Sequence, residues 1–102
     1  MKAHQKKIDF FRQKIDAIDV KIIKLLNIRA EYANTIGKIK RKVGLPVYVP
    51  SREEQVIAHV QEKNPGPLSN DAIRRLYERI IDESRRLEKE NYENELNRKH
   101  GE

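Results

Sequence analysis

Apolar residues fall at Ile8, Phe11, Ile15, Ile18, Ile22 and Leu25, then at Tyr32, Ile36, Ile39 and Val43. The steps alternate three and four, the spacing of one helical face. This predicts a first helix over about residues 8–42. No proline interrupts it, and the lone Gly37 is tolerated at about 1 kcal/mol. At about 1.5 Å per residue such a helix is roughly 50 Å long. A chain of 102 residues is too small to cover that length alone. The simplest cover for the stripe is a partner helix from a second copy of the chain.

Val43 to Pro50 contains one glycine and two prolines and reads as a loop. Ser51 precedes Glu54 by three residues, the spacing of a capping box. A second helix is therefore expected over about 51–62, with Val56, Ile57 and Val60 inward. Asn64-Pro65-Gly66-Pro67 is a break. Ser69 is the expected N-cap of a third helix over about 69–92. Its inner face carries Ala72, Ile73, Leu76, Tyr77, Ile80, Ile81, Ser84 and Leu87. From Lys89 to Glu102 the chain is mostly polar, and this tail is expected to fray or project. No alternating strand pattern and no repeat is present. The expected fold is all-α, three helices ordered long–short–long, in one domain over residues 1–102.

Composition sharpens the picture. Hydrophobic and charged residues each make up 37 % of the chain. So polar a chain of this size buries a thin core, which again points to a partner. Zero cysteines exclude disulfides and thiolate metal sites. No run of about 18 apolar residues exists, so no membrane span is expected. The basic segment Met1–Lys7 is followed by no apolar stretch of the signal-peptide kind, and the default location is cytoplasmic. A net charge of +6 admits nucleic acid, an anionic membrane surface or an acidic small molecule as partner. Acidic residues interspersed through helices two and three argue against a continuous phosphate track. His4, His59 and His100 lack metal-ligand spacing and read as surface, so no metal site is expected. There is no phosphate loop and no nucleophile elbow. Phe11, Tyr32 and Tyr77 lie on apolar stripes and read as core.

The informative residues are polar ones on apolar faces. Arg29 continues the Leu25–Tyr32 seam, where an unpaired guanidinium either snorkels to solvent or meets an anion. Lys40 lies eleven residues further on, close to three full turns, so both cations share a face about 16 Å apart. Alone, Lys40 reads better as part of a solvated basic run with Lys38, Arg41 and Lys42. On the third helix Ser84 and Glu88 follow inward-facing Ile81 at helical spacing. Ser84 can instead bond back to the carbonyl at position 80, and Glu88 can lie where the helix has left the core. Glu53 suits a helix N-terminus, whereas Arg52 beside it does not. Together these residues outline a polar pocket inside a helical bundle.

These residues resemble a family. Arg12 to Asp19, Leu25 to Arg29 and Ile36 to Lys40 are similar to the first helix of the all-α (AroQ-type) chorismate mutases. Pro46 to Glu53 resembles their loop and second-helix start, and Ile80 to Glu88 their third helix. The likeness covers about residues 8–88 in order. It implies an intertwined homodimeric bundle that converts chorismate to prephenate without a cofactor. By the same resemblance Arg12, Arg29 and Lys40 hold the substrate carboxylates, and Lys40 also donates to the ether oxygen. Arg52 is a further cation, Glu53 accepts from the ring hydroxyl, and Ser84 contacts a carboxylate. Glu88 is the second group at the ether oxygen. Val49 stands where many members carry Asp and is expected to contribute through its backbone. The catalytic set implied is Lys40, Glu88 and Arg29.

Such a rearrangement needs orientation and positive charge near the breaking C–O bond, and no nucleophile. A carboxylate at position 88 would repel that charge, so Glu88 is expected to act as the neutral acid, its pKa raised by burial. Arg12 lies about 25 Å from Arg29 along the same helix, too far to share a small ligand. Two first helices paired antiparallel about a dyad near Ile22–Ile23 bring Arg12 of one between Arg29 and Lys40 of the other. Two other readings stay open: an isochorismate pyruvate-lyase on the same fold, and a non-enzymatic basic helical binding or regulatory module. Fusion to, or complex with, another shikimate-pathway enzyme is compatible with the first reading.

Overall fold

A computed structural model describes residues 2–101, with side chains from Lys2 to Lys99. The ends of the 1–102 domain assignment, and the surface reading of the His100 side chain, lie outside the described residues.

Helix α1 runs from Lys2 to Val43 and so starts ahead of its apolar stripe. Lys2, Ala3, Gln5, Lys6 and Lys7 are all good helix formers. Gln5 Nε2 also donates to Asp9 Oδ1 at 3.0 Å. The helix stops where Gly44 takes φ +78°, a conformation glycine adopts without penalty. The Leu45 amide then donates back to the Lys40 carbonyl at 2.8 Å, closing a Schellman-type cap.

Helix α2 spans Pro50–Lys63. The capping box expected at Ser51 and Glu54 does not form. Val49 is the N-cap, in extended conformation and without a side-chain cap bond, and Pro50 opens the helix. Proline has the right φ and no amide to leave orphaned there, which moves Ser51 inside the first turn. Past α2, Asn64 fastens the break: its Nδ2 donates to the Leu68 carbonyl at 2.7 Å and to Asn70 Oδ1 at 2.9 Å. Its Oδ1 accepts from the Gly66 amide at 3.0 Å.

Helix α3 spans Asn70–Gly101. Ser69 Oγ accepts from the Ala72 amide at 3.1 Å, so this N-cap forms as the sequence predicts. The expected stop near residue 92 and frayed tail are not seen, and the helix continues through the polar segment to Gly101. Lys, Glu, Asn and Arg there carry no proline or glycine before that end, and two contacts described below dock the extension on α1.

α3 packs against both other helices, whereas α1 and α2 make no close backbone approach to each other. α3 runs in the same direction as α1, with Leu26 and Ala30 near Ile80 and Ser84 and Gly37 beside Glu88. α2 runs back along α3, clamped by Arg74 Nη1 and Nη2 donating to the Glu54 carboxylate at 3.3 Å each. Ile57 is the one buried large apolar side chain among the described residues. Val56 and Val60 are half-buried beside it, as expected. Leu76 and Leu87, assigned to the inner face of α3, are exposed on the single chain, as are Phe11 and Tyr32. The reason lies in α1: every residue described from Lys2 to Leu25 is exposed, Ile8, Phe11, Ile15, Ile18 and Ile22 among them. The molecule measures 64 × 35 × 15 Å with a radius of gyration of 18.8 Å. A compact chain of this length has about 13 Å. No described helix is long and apolar enough to cross a membrane.

Candidate active site

The gap between α1 and α2, floored by α3, is a cavity of about 530 Å³. Three segments wall it. α1 contributes Arg29, Tyr32, Ala33, Ile36, Gly37 and Lys40, one helical face read at steps of three and four. The connection and α2 contribute Val47, Tyr48, Val49, Arg52, Glu53 and Val56. α3 contributes Ile81, Ser84, Arg85 and Glu88. The structure thus brings together Arg29, Lys40, Val49, Arg52, Glu53, Ser84 and Glu88, all singled out in the sequence. It leaves Arg12 apart: that side chain is exposed on the free half of α1, 3.9 Å from Asp9.

Arg29 is half-buried, with Nη1 donating to Ser84 Oγ at 3.5 Å and the guanidinium 5.9 Å from the Tyr77 ring centroid. Ser84 is the one buried polar side chain among those described. Its hydroxyl meets Arg29 across the helix interface, so Arg29 is held toward the cavity from behind. Lys40 is half-buried in the same wall, one turn before the end of α1. Val49, as N-cap of α2, presents extended backbone at the rim.

Sequence reasoning missed Arg85 and Tyr48. Arg85 forms an ion pair with Glu53 and lies 4.2 Å from the Tyr48 ring centroid. This ties loop, α2 and α3 together and fixes the Glu53 carboxylate at the cavity wall. Arg85 sits in a basic run with Arg86, and only the tertiary fold shows which of the two turns inward. Gly37 also has a role beyond being tolerated. A β-carbon there would lie 3.1 Å from Glu88 Oε2, so the missing side chain is what lets Glu88 lie against α1.

Glu88 is half-buried, and burial raises its pKa above the ordinary carboxylate value. Arg41, Lys40 and Arg85, in that order, act against the rise. The cavity therefore presents four cations, of which Arg85 is paired with Glu53, together with a hydroxyl and a carboxyl biased toward its neutral form. Such a set can bind a small polyanion, hold it in one conformation and donate hydrogen bonds to oxygens that gain charge.

Comparison with known proteins matches residues 11–89 to the family described as chorismate mutase type II. The bifunctional chorismate mutase/prephenate dehydratase of Neisseria gonorrhoeae is 38 % identical over 78 residues, covering 76 % of this chain and 21 % of that protein. The chain thus spans about a fifth of the length of that relative. The chorismate mutase of Methanocaldococcus jannaschii is 30 % identical over 94 residues, 90 % of this chain and 94 % of that one. A solved chorismate mutase structure from Thermus thermophilus superposes with a TM-score of 0.79 at 35 % identity, covering 81 % of this chain and 94 % of that one.

Proposed function

The chain belongs to the chorismate mutase type II family, and from that membership we propose that it isomerises chorismate to prephenate in the cavity between α1 and α2. In this rearrangement one C–O bond breaks as one C–C bond forms, and no proton or group enters or leaves. The protein's task is to hold a flexible dianion in the reactive, folded conformation and to stabilise charge on the ether oxygen. Arg29, braced by Ser84, and Arg52 bind carboxylate. Lys40 donates to the ether oxygen, and Glu88 donates a second hydrogen bond there in its neutral form. Glu53, fixed by Arg85, accepts from the ring hydroxyl, and Val49 bounds the substrate with backbone. Residues 1–102 act as one domain.

The cavity is completed by a second copy. The exposed apolar stripe from Ile8 to Leu25 is too long to leave in water. Pairing it antiparallel about a dyad near Ile22–Ile23 sets Arg12 of one copy level with Ala33 of the other. Ala33 lines the cavity between Arg29 and Lys40. The homodimer and one further cation, Arg12 of the second copy, follow from the same pairing.

The observation that carries this reading is the convergence of Arg29, Lys40, Arg52, Ser84 and Glu88, drawn from three helices, on one cavity. Loss of chorismate absorbance, with prephenate identified as product, tests it. Purified protein converts chorismate, and Arg29→Ala lowers kcat/KM by about 100-fold or more. Equal rates for the two proteins, or pyruvate released from isochorismate as the main activity, would overturn it.

A further inference from the structure

The C-terminal part of α3 lies beyond the segment matched to the family, which ends at residue 89, yet it is docked beside the cavity. Tyr92 sets its ring against the Arg41 guanidinium, 4.6 Å from centroid to Cζ. One turn on, Glu95 reaches Lys38 at 3.5 Å. Arg41 Nη2 is buried and has no hydrogen-bond partner. A buried guanidinium N–H without an acceptor is unfavourable. Attraction to an aromatic face offsets this without a hydrogen bond, so the Tyr92 ring accounts for where Arg41 sits.

That place faces Glu88. The position a β-carbon would take on Gly37 is 3.4 Å from Arg41 Nη1 and 3.1 Å from Glu88 Oε2. The two groups therefore flank the glycine, near each other but without a direct ion pair. The other charged groups toward Glu88 are Lys40 from α1 and Arg85 from α3, with Arg29, Arg52 and Glu53 lining the same cavity. Tyr48 is the further titratable group on that wall.

We propose that Tyr92 is a positioning residue: it holds the Arg41 guanidinium beside Glu88, so that the extension of α3 sets the upper pH limit of the reaction. This rests on the reading above in which protonated Glu88 is the active form. A cation beside a carboxyl favours its ionised form, so Arg41 opposes the effect of burial. Releasing Arg41 to solvent lets Glu88 keep its proton to higher pH.

Carbon-13 NMR titration of the Glu88 carboxyl, assigned by its absence in Glu88→Gln, tests this without relying on activity. Tyr92→Ala, and Tyr92→Leu as the variant that keeps apolar packing, move the midpoint upward by about one pH unit. Tyr92→Phe keeps the ring face and leaves it in place. Arg41→Met raises it alike, and adding Tyr92→Leu to Arg41→Met adds nothing. The basic limb of kcat/KM moves with the midpoint. An unmoved midpoint in folded Tyr92→Leu, or additive shifts in the double variant, would overturn the proposal. A midpoint that moves as expected, in a protein whose activity shows no such limb, supports the positioning and overturns the assigned role of Glu88 instead.

Discussion

In the proposed mechanism, Glu88 is the residue on which the chemistry turns. Burial raises its pKa, and Arg41, Lys40 and Arg85 restrain the rise. Its neutral form donates a hydrogen bond and its ionised form cannot. Activity is therefore expected to fall as pH climbs through the raised midpoint, and Glu88→Gln to flatten the kcat/KM profile. Linkage gives the same sign for stability. Glu88 ionises earlier in the unfolded chain, so its contribution is full below the unfolded value and is lost as pH rises through the folded one. Gly37 governs the same group sterically. Gly37→Ala gains about 1 kcal/mol of helix propensity but pushes the Glu88 carboxyl aside. The melting temperature is expected to hold or rise while kcat drops on the order of tenfold; unchanged kcat would show that Glu88 needs no such close seat. Arg29, Ser84 and Glu88 were legible in the sequence because each breaks an apolar stripe. The Glu53–Arg85 pair was not, because neither residue violates a local pattern and they are joined only by α2 folding back along α3.

Element boundaries were legible where a residue has one local role. Ser69 caps α3 as its position before Asn70 predicts, and Gly44 ends α1. Ser51 was misread because two start signals compete there: the Ser–Glu spacing, and a proline one residue earlier that enters the helix first. The pair yields a direct contrast in urea unfolding. Ser69→Ala is expected to destabilise by about 1 kcal/mol, and Ser51→Ala to stay within about 0.5 kcal/mol of the parent. The reverse order would restore the capping box. The extension of α3 was illegible because its polar pattern specifies no buried face. Its partners, Arg41 and Lys38, stand on another helix.

For the whole molecule, the apolar stripe of α1 made a partner expected from length alone. The single chain is elongated, and most of its large apolar side chains are exposed. Burying the Ile8–Leu25 face against a second copy supplies the core that one chain lacks. The same proposed pairing gives Arg12, which stands far from the cavity of its own chain, a cavity on the second copy. In the proposed dimer each cavity draws on two chains, and subunit mixing tests this most directly. Arg12→Ala and Arg29→Ala are each inactive alone, but in a mixed dimer one cavity carries both changes and the other carries neither. Co-refolding equal amounts is expected to restore about a quarter of the parent activity, since about half the dimers are mixed and each has one intact cavity. Recovery no greater than the sum of the two separate variants would contradict a cavity shared between chains.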